Sequence, residues 1–168
     1  MECKCENCFF SLKNYLGEHL YHDDRIKYNK RKAGILLIYI DDNIPYFLLV
    51  QSRGRLWGVP KGTIDNNETF LDGAIRELRE ETNINLSPKE VVNYNRMYIN
   101  KKVLYFYNIT EKGVHTPRVN CSINNDANSV AWISLSCLKH NIFIGNMQIT
   151  SHTKKILKRL NFFDFTKD

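Results

Sequence analysis

The sequence predicts an α+β fold in which strands dominate and two principal helices cover a sheet. Three observations predict it. Short apolar, β-branched and aromatic runs recur between turn-forming residues at 33–40, 46–53, 103–110 and 129–135. Two longer stretches, from about Thr69 to Thr82 and across 148–163, carry apolar residues at helical spacing. With 168 residues, 43% of them hydrophobic and 12% aromatic, the chain can bury one sizeable core but not two.

Taken in order, residues 1–32 are polar and end in the basic "RIKYNKRK", which sets a boundary at Lys32 between an N-terminal extension (1–32) and a domain (33–168). Within the extension Phe9, Leu12, Leu16 and Leu20 recur at helical spacing and predict a short amphipathic helix despite Gly17. "AGILLIYI" and "YFLLVQSR", joined by the turn residues "DDNIP", read as a hairpin. "GRLWGVPKG" reads as a loop leading into the first main helix, where Thr69 and Asp72 stand as a capping box. "EVVNYNRMYI" and "VLYFYNIT" flank "NKK" as a second hairpin, and "SVAWISL" is a further strand. "QITSHTKKILKRLNFF" places Ile149, Ile156, Leu157, Leu160 and Phe163 on one side of a closing helix.

Lys and Arg number 24 against 18 acids, a formal charge of +6, which favours polyanionic partners such as RNA, nucleotides or inositol phosphates; a plain solubility surface is the alternative. No apolar run approaches the roughly 18 to 20 residues that span a bilayer. "MECKCENCFF" lacks the basic and apolar regions of a signal peptide, so a soluble, cytoplasmic protein with no membrane partner is expected. Five cysteines, an odd number, argue against a disulfide framework, and Cys121 and Cys137 read as small buried hydrophobes.

The uneven feature is "GTIDNNETFLDGAIRELREETNI" (62–84), where a basic chain concentrates negative charge. On a helix Glu77 and Glu81 lie one turn apart with Glu80 in reach of both, while Leu71, Ala74, Ile75 and Leu78 form the adjoining apolar stripe. Like charges at this spacing cost a few tenths of a kcal/mol per pair, so something should compensate them. A hard divalent cation would; a solvated face balanced by Arg76 and Arg79 is the other reading.

From Gly62 the spacing is G-x5-E-x7-R-E-L-x-E-E-x-N-I, which matches the GX5EX7REUXEEXGU signature of the Nudix hydrolases at every position except Asn83. Asn is the residue after Gly best able to close a helix in the left-handed conformation. The resemblance implies an α/β/α sandwich with a mixed central sheet, and hydrolysis of a nucleoside diphosphate linked to another group with Mg²⁺ or Mn²⁺ as cofactor. It implies that Glu77, Glu80, Glu81 and the carbonyl of Gly62 hold the metal, that Glu77, Glu81 or an acid outside the signature acts as general base, and that Glu68 and Arg76 form an ion pair serving the catalytic helix. Asp126 precedes Trp132 at a spacing where related enzymes carry a further metal-binding acid; a turn Asp in an Asn-rich loop is the alternative.

"WGVPKG" resembles the run before the motif in mRNA-decapping Nudix enzymes and, less closely, in asymmetric diadenosine tetraphosphate hydrolases, which implies capped RNA as substrate, with a hydrolase of dinucleoside polyphosphates or inositol pyrophosphates, or a catalytically inactive Nudix binding module, as the alternatives. Lys61 could then meet a phosphate, and Trp57 is either a base-stacking platform or core. Cys3, Cys5, Cys8, His19 and His22 could bind zinc, although C-x-C-x2-C is not a standard spacing; a frayed terminus with free thiols is the alternative.

Overall fold

A computed structural model describes residues 9–12, 30–52, 56–119, 127–144 and 148–162. In chain order the elements are β1 (Phe9–Leu12), β2 (Lys32–Asp41), β3 (Ile44–Ser52), β4 (Leu56–Gly58), β5 (Lys61–Thr63), α1 (Phe70–Thr82), α2 (Pro88–Val91), β6 (Asn95–Asn100), β7 (Val103–Ile109), β8 (Ala127–Ser134), α3 (Leu135–Ile144), β9 (Gln148–Ile149) and α4 (Ser151–Arg159). The sheet runs β1-β8-β3-β2-β7-β6, with β4 and β9 extending from β3 and β5 lying beside the start of β2. Pairing is antiparallel except for β2 with β7 and β4 with β9, so the sheet is mixed as the resemblance implies. Among the described residues no helix is long and apolar enough to cross a membrane.

Strand β2 is buried continuously from Ala33 to Tyr39 because both faces of the sheet are covered, which is why its sequence is an apolar run and not an alternation. Asp42 and Asn43, both at positive φ, form the two-residue turn to β3. One face carries Ile35, Leu37, Leu48 and Val50 against Ala74, Ile75 and Leu78 of α1. The other carries Leu36, Ile38, Phe47 and Leu49 against Cys137 and Leu138 of α3 and Ile156 and Leu157 of α4. The helices therefore sandwich the sheet.

Helix α1 begins where expected. The Thr69 hydroxyl accepts from the Asp72 backbone N–H and meets the Asp72 carboxylate at 2.7 Å. It ends at Asn83, which takes the left-handed conformation (φ 59°) and donates its side-chain amide to the Arg118 carbonyl at 3.2 Å. Asn83→Ala is expected to lower stability by about 1 kcal/mol, since Ala gains nothing in that conformation, while Asn83→Gly should stay within a few tenths. Urea midpoints of the three proteins check this.

Several expectations are corrected. Residues 9–12, read as the start of an amphipathic helix in the extension, are a strand in register with β8; Phe-Phe-Ser-Leu suits a pleated edge, and the pairing supplies β8 with a neighbour. Residues 90–94 are not strand. Ser87 and Glu90 form a reciprocal capping box with Pro88 in the first turn, which folds Glu90 and Val91 into α2, and residues 92–94 are turn. Gln148 and Ile149 pair with β4 instead of opening the last helix, which starts after the cap Thr150. "LWG" and "KGT", read as loop, are short strands, and α3 was not expected at all.

Candidate active site

The site lies where β5 and the loop after it meet α1. Gly62 faces α1 so closely that a Cβ there would sit 2.0 Å from the Glu77 carboxyl carbon. Glu77 is 15% exposed and its carboxyl is pushed up by burial, against the opposing pull of Arg76. Glu81, at 7% exposure, accepts the backbone N–H of Lys61 at 3.0 Å. Glu80 is exposed. Gly73 lets Ile64 and Glu68 approach α1, where a Cβ would lie 3.2 and 3.3 Å from them.

Arg76 ties these parts together. Its Nε and Nη2 donate to the two oxygens of Glu68 at 2.6 and 3.0 Å, Nη1 donates to Glu77 at 2.9 Å and Glu80 at 3.1 Å, and Nη2 also donates to the Thr63 carbonyl at 2.9 Å. The Glu68–Arg76 pair expected from the resemblance is thus present, and Glu68 additionally accepts the Asp65 N–H at 3.0 Å. The planar fork of Arg can serve loop and helix at once, which an ammonium could not.

Hydrogen bonding from Arg76 holds the Glu68 carboxyl below its ordinary range. A depressed carboxylate stabilises the fold above its unfolded pKa and loses that contribution as pH falls through the folded value. Glu68→Gln should therefore be less stable than the parent at neutral pH, with the gap closing as pH falls below about 4.5. Denaturant midpoints measured across that range check it.

The carboxylates of Glu77, Glu80 and Glu81 and the Gly62 carbonyl are hard oxygen donors, two of the acids are largely buried, and one guanidinium is shared among Glu68, Glu77 and Glu80. By donor type they fit Mg²⁺ or Mn²⁺. Among the described residues, no three acids, cysteines or histidines already converge as a metal cage, and Arg76 Nη1 bonds both Glu77 and Glu80. Asp126 and the five candidate zinc ligands Cys3, Cys5, Cys8, His19 and His22 lie outside the described residues.

Trp57 is 2% exposed and packs with Ile149 and Leu157 in the core on the α4 side, so its ring faces are not open to a base and the stacking reading is corrected. Lys61 is half-buried beside the acids; burial lowers its pKa while Glu81 raises it. Sequence reasoning did not single out His152, yet its ring meets the Tyr105 hydroxyl at 3.2 Å close to Lys61. The two residues are 47 positions apart, and no local pattern signals the contact. An open cleft of about 520 Å³ adjoins the site, lined by Lys30, Arg31, Thr63, Ile64, Asp65 and Asn66.

The NUDIX domain family model matches residues 29–151. The 111R protein of Invertebrate iridescent virus 3, a candidate hydrolase, is 27% identical over 140 residues, covering 83% of this chain and 75% of that protein. The bifunctional NMN adenylyltransferase/ADP ribose pyrophosphatase from Francisella tularensis aligns with a TM-score of 0.56 and 25% identity over 79% of this chain, which spans only 40% of that protein. The C. elegans Ap4A hydrolase aligns with a TM-score of 0.55 and 22% identity, over 79% of this chain and 95% of that one, a likeness of fold alone. A family match across most of the chain, on a mixed sheet flanked by helices and with the signature acids gathered beside Gly62, makes this chain a member of the Nudix hydrolase family.

Proposed function

We propose that the chain is a divalent-metal-dependent pyrophosphohydrolase that removes the 5′ cap of mRNA, cleaving within the triphosphate bridge to release a nucleoside diphosphate. The observation that carries this reading is that Arg76, bonded to Glu68 and the Thr63 carbonyl, and Glu81, bonded to the Lys61 N–H, hold the acids of α1 against β5 at the edge of a cleft bearing Lys30 and Arg31. Acids for a metal and cations for a polyanion thus share one end of the sheet.

Glu77, Glu80, Glu81 and the Gly62 carbonyl, with Asp126, would hold Mg²⁺ or Mn²⁺, which when bound neutralises phosphate charge and acidifies water. Glu77 or Glu81 takes the proton from the water that attacks phosphorus as the bridging P–O bond breaks. Arg76 acts as a positioning residue, since its donors are spent on protein oxygens. Lys61 offers a positive charge to the phosphates. Supporting the RNA assignment are "WGVPKG", the +6 balance and the basic runs "RIKYNKRK" and "KKILKRL".

Each cation meeting a phosphate releases counterions, so activity on RNA should fall steeply with salt and grow with RNA length beyond the cap. The test compares capped RNA of roughly 30 nucleotides, free cap dinucleotide, diadenosine tetraphosphate, ADP-ribose and an inositol pyrophosphate at low and high salt. The expected outcome is preference for long capped RNA with a nucleoside diphosphate product. Cleavage of diadenosine tetraphosphate orders of magnitude faster than capped RNA, with no effect of length, would replace this reading with a dinucleoside polyphosphate hydrolase.

A further inference from the structure

Two lysines near the site, Lys32 and Lys61, lie on the face of the sheet opposite α1. Strand register makes this explicit. Gly34 pairs with Lys61 on one side and Tyr105 on the other, and their side-chain positions share the face that carries Leu36, Ile38 and Val103 against α4. Gly62, one residue on, faces α1. Lys32 lies two residues before Gly34 in β2 and so takes the α4 face too. From α4, His152 reaches down to the Tyr105 hydroxyl, with Lys155 one turn further along. The positive charges of Lys61, Lys155 and Lys32 all act on the His152 ring.

This is the mirror of the problem posed by the acids of α1. Three like charges act on one imidazole, and none of the three ammonium groups forms a salt bridge with a carboxylate among the described residues. Glu81 and Glu77 act on Lys61 from the other face, but they are already engaged, Glu81 by the Lys61 backbone N–H and Glu77 by Arg76. A multiply charged anion resolves the repulsion on the α4 face as a cation would on the α1 face. Gly34 makes room for the arrangement, because a Cβ there would strike the Pro60 carbonyl and lie 3.1 Å from the Tyr105 ring.

We propose that Lys32, Lys61 and His152, with Lys155 at the rim, form an anion site for a phosphate group of the substrate chain, and that Tyr105 positions His152 within it. Tyr105 is buried, and its hydroxyl stays protonated. In the tautomer whose Nδ1 accepts from this hydroxyl, the ring proton sits on Nε2, a neutral donor to add to the ammonium groups. The identity of the occupant as a substrate phosphate rests on the function proposed above; the existence of the site does not.

The experiment therefore uses inorganic pyrophosphate in excess chelator, where no hydrolysis occurs, and the full chain. Binding is followed by calorimetry and by the imidazole NMR signals of His152. Saturable shifts of those signals are expected, with affinity falling about tenfold in Lys32→Gln and in Lys155→Gln but not in Lys101→Gln, a lysine of the β6–β7 turn. His152→Gln, which keeps a donor, should bind more tightly than His152→Ala. The proposal is overturned if pyrophosphate leaves the His152 signals unmoved, or if Lys32→Gln and Lys155→Gln bind it as well as Lys101→Gln. Failure of the decapping reading would appear instead in the substrate comparison, with pyrophosphate binding intact.

Discussion

Glu81→Gln is expected to lower phosphoanhydride hydrolysis by a factor on the order of 10² or more while the fold survives. Glu81 is buried, and one of its oxygens accepts the Lys61 backbone N–H. Gln is nearly the same size and keeps a carbonyl oxygen for that bond, so the anchoring of β5 to α1 is retained. What is lost is the negative charge, and with it a ligand for a divalent cation and an acceptor for a proton. Turnover with Mg²⁺ or Mn²⁺ is compared with the parent alongside thermal unfolding. A folded Glu81→Gln protein with undiminished turnover, or parent turnover that persists in excess chelator, would remove the metal-dependent mechanism.

The second large effect separates two glycines on adjacent strands. At Gly62 an added methyl group would collide with the Glu77 carboxylate, the movable end of a side chain; at Gly34 it would fall 2.4 Å from the Pro60 carbonyl oxygen, which is backbone. Gly62→Ala should therefore fold with modest loss of stability, yet lose most of its activity because Glu77 is driven from its place beside Arg76. Gly34→Ala should lose about 1 to 3 kcal/mol of stability or more, because β2 and the Pro60 segment must separate. Unfolding curves and turnover of both variants, measured together, test the contrast; equal stability losses would show that Glu77 is as immovable as backbone.

The strong repeating signals in the sequence became structure. Apolar runs at 33–40, 46–53 and 103–110 are β2, β3 and β7, and Thr69 and Asn83 bracket α1 as their side-chain chemistry dictates. The Glu68–Arg76 pair was legible because both residues belong to one signature of fixed spacing. What escaped had no periodicity to read. Strands β4, β5 and β9 are two or three residues long, and "LSCLKHNIFI" of α3 is apolar without a clear stripe, so it gives no helical pattern. The Ser87 to Glu90 box was in plain view and lost to the apolar pair Val91 and Val92 beside it. Trp57 left two readings open, stacking platform or core, because Gly and Pro around it give no periodicity; pairing with β3 and β9 pulls it inward. His152 and Tyr105 meet only through tertiary packing, which no window of sequence contains.

The parallel register of β2 with β7, Lys32 to Val103 through Ile38 to Ile109, also governs how the chain reaches this structure. That ladder cannot form until β3, α1 and β6 have been made, so the centre of the sheet closes through contacts distant in sequence. Such topologies refold in milliseconds to seconds where local ones need microseconds. Until then β2 offers a bare edge on "AGILLIY", a run uncharged and free of proline, which is the composition that recruits a second chain. A nascent or truncated chain ending before Val103 carries this strand without its partner, and aggregation of such fragments is the kinetic liability built into the fold.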